Sequence, residues 1–211
     1  MLDGFSTSPL TIMPGAMVWP GALTANAQAE LMQAVLGVVK AAPWFQPAMP
    51  RSGRPFSVQM TNCGSLGWVS DRTGYRYQPH HPITGARWPP IPGPLRVIWA
   101  TIAPEAPPPQ ACLVNHYGTD AKMGLHQDRD EQTFAAPVVS VSLGDSAVFR
   151  IGPPKGKTHK LTLNSGDVLL FGGPARLARH GIDRVLAGGS DLVPGGGRIN
   201  LTLRRVTVPQ C

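Results

Sequence analysis

From residue 111 onward, the chain is a regular succession of short apolar segments separated by turn residues. Gly-Asp, Gly-Gly-Pro and Gly-Pro-Pro stand between these segments, and such combinations are typical of tight turns. Six or more short strands at this spacing predict a sandwich or barrel, and a jelly roll is the preferred architecture. The predicted strands cover residues 112–117, 138–143, 147–151, 160–163, 168–171 and 198–208.

The N-terminal half carries the predicted helices. Over residues 24–42, Thr24 can cap the first turn and Pro43 stops the helix. The apolar residues between them recur at helical spacing, which predicts packing on a sheet. A short helix over residues 95–102 and a proline-rich connector over 104–109 follow. The predicted fold class is α+β and mainly β, since 24 Gly and 23 Pro also favour a loop-rich architecture.

The chain has 211 residues, which is enough for one well-buried core and requires no second domain. We expect a single domain over residues 1–211. About 1–110 would form an N-terminal elaboration, and about 111–208 would form the jelly-roll core.

The cysteine count and the N-terminus predict a cellular location. Cys63, Cys112 and Cys211 are an odd number without a Cys-x-x-Cys pair, which favours a reducing compartment over a disulfide framework or a structural zinc site. Residues 1–5 lack the features of a signal peptide, and no stretch approaches the roughly 20 apolar residues that span a bilayer. We therefore expect a cytoplasmic protein with no membrane partner. A monomer with no obligate protein partner is the default expectation.

The charge balance favours a negatively charged partner. Lys and Arg number 19 against 12 Asp and Glu, a net charge of +7, so nucleic acid is the first candidate, although many basic proteins bind none. Residues 43–94 interleave aromatic and basic residues, as a base-stacking, phosphate-contacting surface does. The alternative is that several of these rings fill a small core. The residues are Trp44, Phe45, Phe56, Trp68, Tyr75, Tyr77 and Trp88, with Arg51, Arg54, Arg72, Arg76 and Arg87.

His126 and Asp128 are the first candidates for metal ligands. On a β-strand, residues two apart share a face, so both side chains can reach one ion while Gln127 points away. A third ligand from a distant strand, with His180 as the downstream candidate, completes the two-His, one-carboxylate set of non-haem Fe(II) oxygenases. A His-x-Asp sequence by itself is also common as a solvated pair or a hydrogen-bonded turn.

The last predicted strand alternates polar and apolar residues strictly. Arg198, Asn200, Thr202 and Arg204 share one face, and this face meets either water or a cavity once the apolar face is buried. A guanidinium fork binds a carboxylate bidentately. A cavity between two such forks therefore suits a dicarboxylate, and a five-carbon diacid is a plausible guest.

A series of ordered motifs from about residue 55 to Arg204 resembles the AlkB family of Fe(II)/2-oxoglutarate-dependent dioxygenases. The resemblance extends more loosely back to Met1. The motifs are Met60-Thr61-Asn62-Cys63-Gly64, Gly67-Trp68, Gly74-Tyr75, Asn115-His116-Tyr117, Leu125-His126-Gln127-Asp128-Arg129-Asp130-Glu131, Val139-Ser140-Val141-Ser142-Leu143-Gly144, His180-Gly181-Ile182 and Arg198-Ile199-Asn200-Leu201-Thr202-Leu203-Arg204.

The resemblance implies a double-stranded β-helix, or jelly roll, with a nucleotide-recognition lid in the N-terminal part. His126, Asp128 and His180 would hold the iron and carry the catalysis. For 2-oxoglutarate, the resemblance places Arg198 on the distal carboxylate, with help from Asn115 and Tyr117. Asn200 would lie beside that carboxylate, and Arg204 near the end that chelates iron.

The resemblance also implies a substrate site. The damaged base would stack between Trp68 and His126, with Tyr75 on the nucleotide backbone and Asp130 beside the exocyclic nitrogen of the base. Met60 would also contact the substrate. The implied activity is oxidative demethylation of 1-methyladenine and 3-methylcytosine in single-stranded DNA or RNA. It would use Fe(II), 2-oxoglutarate and O2, and would release formaldehyde, succinate and CO2.

Two departures from the family pattern fall near this site. Phe171 stands where bacterial members of the family carry Trp, and the hairpin after Phe149 is short, so that Lys155 or Lys157 replaces an expected substrate-contacting arginine. Lysine is a point charge without the planar fork of arginine. The rival functions are an oxygenase of the same fold that acts on protein or small molecules, and a catalytically silent nucleic-acid-binding jelly roll.

His80 and His81 could also be imagined as a metal pair. Adjacent strand residues face opposite ways and a proline-flanked turn is usually exposed. We therefore predict an exposed loop for them.

Overall fold

The computed structural model describes residues 8–208. Residues 1–5 and Cys211, on which the predictions of location partly depend, lie outside this range. Within residues 8–208, thirteen strands and two α-helices follow one another in the order β1 (Leu10–Met13), β2 (Ala16–Trp19), α1 (Ala25–Ala41), β3 (Val58–Gly64), β4 (Gly67–Asp71), β5 (Gly74–Gln78), α2 (Gly93–Ile102), β6 (Ala111–Tyr117), β7 (Met123–His126), β8 (Val138–Gly144), β9 (Ser146–Gly152), β10 (His159–Leu163), β11 (Val168–Phe171), β12 (Arg179–Leu186) and β13 (Arg198–Arg204).

The eight strands from β6 to β13 form a jelly roll. Four of them, in the order β11-β8-β13-β6, belong to a seven-stranded sheet, and the other four form a second sheet in the order β10-β9-β12-β7. All the strand pairs are antiparallel. The predicted fold class, mainly β with a jelly-roll core, is confirmed.

The predicted strands are found with small shifts at their ends, except the last. It ends at Arg204 rather than residue 208, because its partner β6 begins at Ala111, which pairs with Arg204. Beyond this point the backbone N–H groups of Val206 and Thr207 donate to the side chain of Gln110 instead of a neighbouring strand. The Gln110 side chain therefore accepts the backbone hydrogen bonds of residues that the alternating pattern assigned to the strand.

Both predicted helices are confirmed. Thr24 caps α1 by accepting a hydrogen bond from the backbone of Ala27 at 3.3 Å, and α2 begins two residues earlier than expected, with a proline in its first turn. The apolar stripes of both helices pack on one face of the large sheet, where Val139, Val141 and Leu201 project. The opposite face is thereby left for the small sheet and the site between them.

The N-terminal part adds three strands to the large sheet. β1 and β2 extend it beyond β11, and β3 pairs with β6 at the other edge. The hairpin β4-β5 forms a separate two-stranded sheet. The division near residue 110 stays a prediction. Within residues 8–208, no helix has the length and apolar character needed to cross a membrane.

The aromatic residues of 43–94 divide between the two interpretations. Phe45 and Trp88 are buried in the core, whereas Tyr75 is 45% exposed. The prediction that His81 is exposed is wrong: its side chain is buried, with Nε2 2.7 Å from the carbonyl of Pro43 and Nδ1 accepting from two backbone N–H groups of its own turn. Its ring stabilises that turn and is not available to a metal.

Candidate active site

His126, Asp128 and His180 converge between the two sheets. One potential ligand atom of each residue lies within 4.8 Å of those of the others. The Nε2 atoms of His126 and His180 are 3.7 Å and 3.6 Å from the two carboxylate oxygens of Asp128. Asp128 and His180 are buried, and His126 is exposed on the cavity side. The three side chains could therefore hold one metal ion.

Backbone carbonyl groups fix the orientation of both imidazole rings. Nδ1 of His126 lies 2.9 Å from the carbonyl of Gly124, and Nδ1 of His180 lies 3.1 Å from that of Ala178. A carbonyl oxygen only accepts hydrogen bonds, so Nδ1 carries the proton in each ring and Nε2 keeps its lone pair. Metal-binding histidines are oriented in this way. The donor set therefore fits a divalent iron ion.

A glycine allows the two histidine strands to lie side by side. His180 of β12 is paired with His126 of β7, and Gly181 follows directly. A Cβ on Gly181 would stand only 2.5 Å from the carbonyl oxygen of Met123, so any side chain here would push β7 away. The close approach of the two strands requires glycine at this position.

The strand predicted to carry both His126 and Asp128 ends at His126. Asp128 lies in the following loop, so the two-residue spacing along a strand does not explain why their side chains meet. Gln127, between them, donates a hydrogen bond from its side chain to the carbonyl of Leu177. This contact ties the loop to the turn that precedes β12.

A buried network of charges anchors Asp128. Nη2 of Arg204 lies 2.6 Å from Oδ2 of Asp128, and Nη1 of Arg204 lies 3.2 Å from Oε1 of Glu131. Arg176 contacts the other Glu131 oxygen at 3.2 Å and donates to the backbone carbonyl of Asp128. Two carboxylates and two guanidinium groups therefore neutralise one another away from water, as buried charges must.

The hydroxyl of Tyr77 joins this network to the β4-β5 hairpin. It donates to Oε1 of Glu131 at 2.7 Å and accepts from Nη1 of Arg204 at 2.8 Å. Burial, opposed by Arg204, raises the pKa of Tyr77, so the phenol stays protonated. The position of the hairpin is thus linked through two side chains to Asp128.

The surroundings keep Asp128 ionised and His180 neutral. Burial alone would raise the pKa of Asp128, but Arg204, with the two histidines, lowers it to about 2. Burial lowers the pKa of His180 to about 4 although Asp128 opposes this shift. A charged carboxylate and a neutral imidazole are the protonation states that bind a metal ion.

Arg198 lies at the other end of β13 and is fully buried. Its Nη2 donates to Ser142 at 2.7 Å, and its Nε has no acceptor among the residues described. No carboxylate of residues 8–208 forms an ion pair with it. Burial lowers its pKa to about 10, which leaves the guanidinium charged at neutral pH. An unpaired buried cation is costly, so this end of the cavity fits an anionic ligand group.

The two arginines are therefore not equivalent. Protein carboxylates already contact both terminal nitrogens of Arg204, so the idea that each arginine binds one end of a diacid fits Arg198 alone. Asn200 and Thr202 lie between them on the same strand face. The cavity can thus take one carboxylate at Arg198 and present the other end of the ligand to the metal ligands.

One cavity of about 480 Å³ joins these groups. All the predicted site residues except Lys155 line it: Met60, Trp68, Tyr75, Asn115, Tyr117, His126, Asp128, Asp130, His180, Arg198, Asn200 and Arg204. Lys155 is exposed on the β9-β10 turn, outside this lining. Backbone carbonyls of this turn accept hydrogen bonds from Arg179.

An aromatic pair lies at the outer end of the cavity. The rings of Trp68 and Tyr75 stack with centroids 5.7 Å apart and an interplanar angle of 17°. The indole N–H of Trp68 donates to Oδ2 of Asp130 at 2.7 Å. This bond joins the β4-β5 hairpin to the loop that carries Asp128. The second oxygen of Asp130 stays available to a bound molecule.

Sequence reasoning missed part of the site. Tyr77, Glu131 and Arg176 form the network around Asp128, and Ser140 and Ser142 hold Asn200 and Arg198. The serines were detectable, since they alternate with valine along a buried strand. The network was not, because its members are far apart in the chain and look like ordinary surface charges.

We expect Tyr77→Phe to lower the free energy of unfolding by about 1.5–3 kcal/mol, the usual contribution of hydrogen bonds to charged groups. Tyr75→Phe is the matched control, because its exposed hydroxyl meets only the sulfur of Met49 at 3.7 Å, and it should change stability by less than about 0.5 kcal/mol. Urea unfolding of both variants measures the difference. Equal stabilities would show that the Tyr77 hydroxyl does not support the network.

The fold and the site define a class of protein. A jelly roll with two histidines, one carboxylate and a buried arginine facing one cavity is the arrangement of a 2-oxoglutarate-dependent iron oxygenase. In agreement, the model of the 2OG-Fe(II) oxygenase superfamily matches residues 15–204.

Individual relatives narrow the class. The alpha-ketoglutarate-dependent dioxygenase AlkB homolog of Caulobacter vibrioides is 55% identical over 199 residues, which cover 93% of this chain and 90% of that protein. AlkB of Escherichia coli is 41% identical over 186 residues, or 85% of each chain. The solved structure of OsALKBH1 superposes with a TM-score of 0.79 at 31% identity and covers 94% of this chain and 100% of that one.

The chain belongs to the AlkB family of 2-oxoglutarate-dependent dioxygenases, a family of nucleic acid demethylases. It is an enzyme whose chemistry depends on Fe(II), 2-oxoglutarate and O2.

Proposed function

We propose that the protein demethylates N-alkylated bases, 1-methyladenine and 3-methylcytosine among them, in single-stranded DNA or RNA. One observation carries the proposal. A single cavity runs from the two-His, one-carboxylate set to the stacked pair of Trp68 and Tyr75, with the Asp130 carboxylate bonded to the indole. It thus combines an oxygenase centre with an aromatic and anionic surface that suits a cationic base.

His126, Asp128 and His180 would hold the iron in this proposal. When bound, iron, 2-oxoglutarate and O2 would supply the oxidation that converts the N-methyl group to an N-hydroxymethyl group, which leaves as formaldehyde, while 2-oxoglutarate becomes succinate and CO2. The C–H step requires no side-chain general base, so the task of the protein is to position the reactants and exclude water. Arg204 and Arg176 hold the Asp128 side chain and backbone for this purpose.

Arg198 would bind the distal carboxylate of 2-oxoglutarate. Its free Nε and its hydrogen bond to Ser142 leave the guanidinium fixed and unpaired. On the neighbouring strand β6, Tyr117 is paired with Arg198, and Asn115 is paired with Asn200. These groups can hydrogen-bond the same carboxylate and orient the cosubstrate along β13 toward Arg204.

The methylated base would enter from the side of Trp68 and Tyr75, with Met60 among the apolar walls. Methylation at N1 of adenine or N3 of cytosine gives a cation that cannot pair normally. Such a base leaves a stack or a duplex at lower cost than an intact one. Asp130 then lies where its free oxygen can face the positive ring.

The direct test is release of formaldehyde from single-stranded oligonucleotides that carry 1-methyladenine, with Fe(II) and 2-oxoglutarate present. Formaldehyde from the methylated strand but not from methylated peptides would exclude the protein-directed rival. Formation of succinate excludes a catalytically silent protein. If no methylated oligonucleotide is turned over while 2-oxoglutarate is consumed with another substrate, the proposal is wrong.

We expect Asp130→Asn to reduce kcat/KM for 3-methylcytosine by about fivefold, because an exposed charge at contact distance contributes on the order of 1 kcal/mol. The neutral base 3-methylthymine should be affected much less. The asparagine oxygen can still accept from Trp68, so the hairpin contact is kept. Competition between the two oligonucleotides in one reaction measures the ratio. Equal losses for both bases would show that Asp130 acts through position and not through charge.

A further inference from the structure

Ala48 and Pro55 pair in an isolated β-bridge that closes a short loop. This loop and the turn of the β4-β5 hairpin together bring three arginines to one side of the cavity mouth. The guanidinium of Arg72 lies over Gly53, where a Cβ would be 3.0 Å from its Nη2. Arg51 and Arg54 stand within two residues of Gly53 in that loop. All three arginines are exposed. Three like charges are therefore gathered in a small area.

Backbone contacts hold this arrangement in place. Ala48 and Ser70 exchange two hydrogen bonds, from the Ala48 N–H to the Ser70 carbonyl at 3.1 Å and from the Ser70 hydroxyl to the Ala48 carbonyl at 2.6 Å. The loop is closed further by the bond from Met49 N–H to the Arg54 carbonyl at 2.9 Å. These hydrogen bonds thus hold the loop that carries Arg51 and Arg54 beside the hairpin that carries Arg72.

No carboxylate of residues 8–208 forms an ion pair with any of the three. Asp71 is adjacent to Arg72 in sequence, but it is bonded to Arg76 through both oxygens, at 3.0 Å and 2.8 Å. Hydrogen bonds from the Arg76 side chain and from Thr73 lower the pKa of Asp71. Asp71 and Arg76 therefore stay charged and paired with each other. The positive charge of Arg51, Arg54 and Arg72 remains for an external partner.

The cluster borders the cavity mouth. Met49 and Phe56, on either side of the loop residues Arg51 and Arg54, both line the cavity. Met49 and Tyr75 are 42% and 45% exposed, and the Tyr75 hydroxyl donates to the Met49 sulfur. Stacking rings beside unpaired guanidinium groups are the two components of single-strand binding surfaces.

We infer that Arg51, Arg54 and Arg72 form one phosphate-binding rim that holds the strand segment next to the extruded base. Guanidinium groups bind phosphate bidentately, and an extended single strand offers consecutive phosphates. This rests on the proposed function, since it identifies which backbone groups the enzyme grips. Arg76 is excluded from the rim by its pairing with Asp71.

The test is the salt dependence of binding to a single-stranded oligonucleotide, followed by fluorescence anisotropy. Each phosphate contact on a single strand contributes about 0.7 to the slope of log K against log salt. Replacing all three arginines by glutamine should therefore reduce the slope by about 1.4–2, uniformly across sequences. The arginine-to-lysine triple variant should keep most of the slope, because the charge is retained.

Lys40→Gln/Arg96→Gln is the control, because both residues are exposed on the helices that cover the opposite face of the large sheet. It should leave the slope and the activity unchanged. An unchanged slope in the glutamine triple variant, with thermal unfolding as in wild type, overturns the inference. So does a control variant that loses as much slope per charge as the rim variant.

Failure of the inference and of the proposed function are distinguishable. If the wild-type protein binds with the expected salt slope but releases no formaldehyde, the proposed function is wrong and the inference about the rim is still supported. Demethylation with no contribution from the three arginines does the reverse. If polyglutamate displaces the labelled oligonucleotide as well as unlabelled oligonucleotide does at equal charge, the rim binds acidic protein and the inference is overturned.

Discussion

Arg198→Lys is expected to raise the KM for 2-oxoglutarate by about 10–100-fold, since loss of hydrogen bonds to a charged group costs about 1.5–3 kcal/mol. Lysine keeps the charge at this end of the cavity but cannot form the planar fork that Ser142 and the backbone carbonyl of Asp145 now hold. The kcat at saturating 2-oxoglutarate should fall much less, because the metal ligands lie near Arg204, at the opposite end of β13 from Arg198. Succinate formation as a function of 2-oxoglutarate concentration measures both parameters.

Arg205→Lys is the matched control for this prediction. Arg205 follows the end of β13, and its side chain donates to the carbonyl of Thr207, outside the cavity. The same chemical change should therefore leave the KM for 2-oxoglutarate unchanged. If Arg198→Lys lowers kcat while KM stays at the wild-type value, Arg198 supports the fold rather than the cosubstrate.

Asp128→Asn is expected to abolish turnover and to weaken metal binding by more than about 100-fold, the upper range seen when only a supporting residue is lost. Two effects combine. The donor set loses its only anionic member, and Arg204 loses the carboxylate that lies 2.6 Å from it. Removing one partner of a buried ion pair typically costs about 3–5 kcal/mol, so the metal-free protein should also unfold at lower urea concentration.

Asp130→Asn separates these effects from a general loss of charge in the loop. It is the same substitution two residues further on, at an exposed carboxylate that bonds to Trp68. Metal affinity, measured by competition with a chelating dye, should remain at the wild-type value in this variant. Retained metal affinity in Asp128→Asn would show that the two histidines bind the ion without it.

The fold was largely predictable because the core strands have strong local signals. Val138–Gly144 and Val168–Phe171 are continuous apolar or alternating runs between glycine turns. Strand β12 has no such signal, since Arg179–Leu186 carries charges and a glycine, and it forms because β9 and β7 lie on either side of it. The four-residue strands β1 and β2 depend in the same way on their pairing with β11.

The candidate site was predictable at positions where the residue type itself indicates its role. Histidines and a carboxylate with the family's motif indicated the metal ligands, and alternation along β13 indicated the polar face. What the sequence could not indicate is which carboxylates Arg204 contacts. That choice depends on the three-dimensional placement of Glu131, Tyr77 and Arg176, and it leaves Arg198 as the arginine of this strand that has no ion pair with a carboxylate of residues 8–208 and whose Nε lacks an acceptor.

The most direct measurement compares wild type and His126→Ala on a single-stranded oligonucleotide that carries 1-methyladenine, with Fe(II), 2-oxoglutarate and O2. Formaldehyde and succinate are quantified together with the methyl groups that remain. We expect wild type to form the two products in equal amounts as methyl groups disappear, and His126→Ala to leave the methyl groups in place. Equal loss of methyl groups in both proteins would contradict catalysis by a metal held at His126, Asp128 and His180.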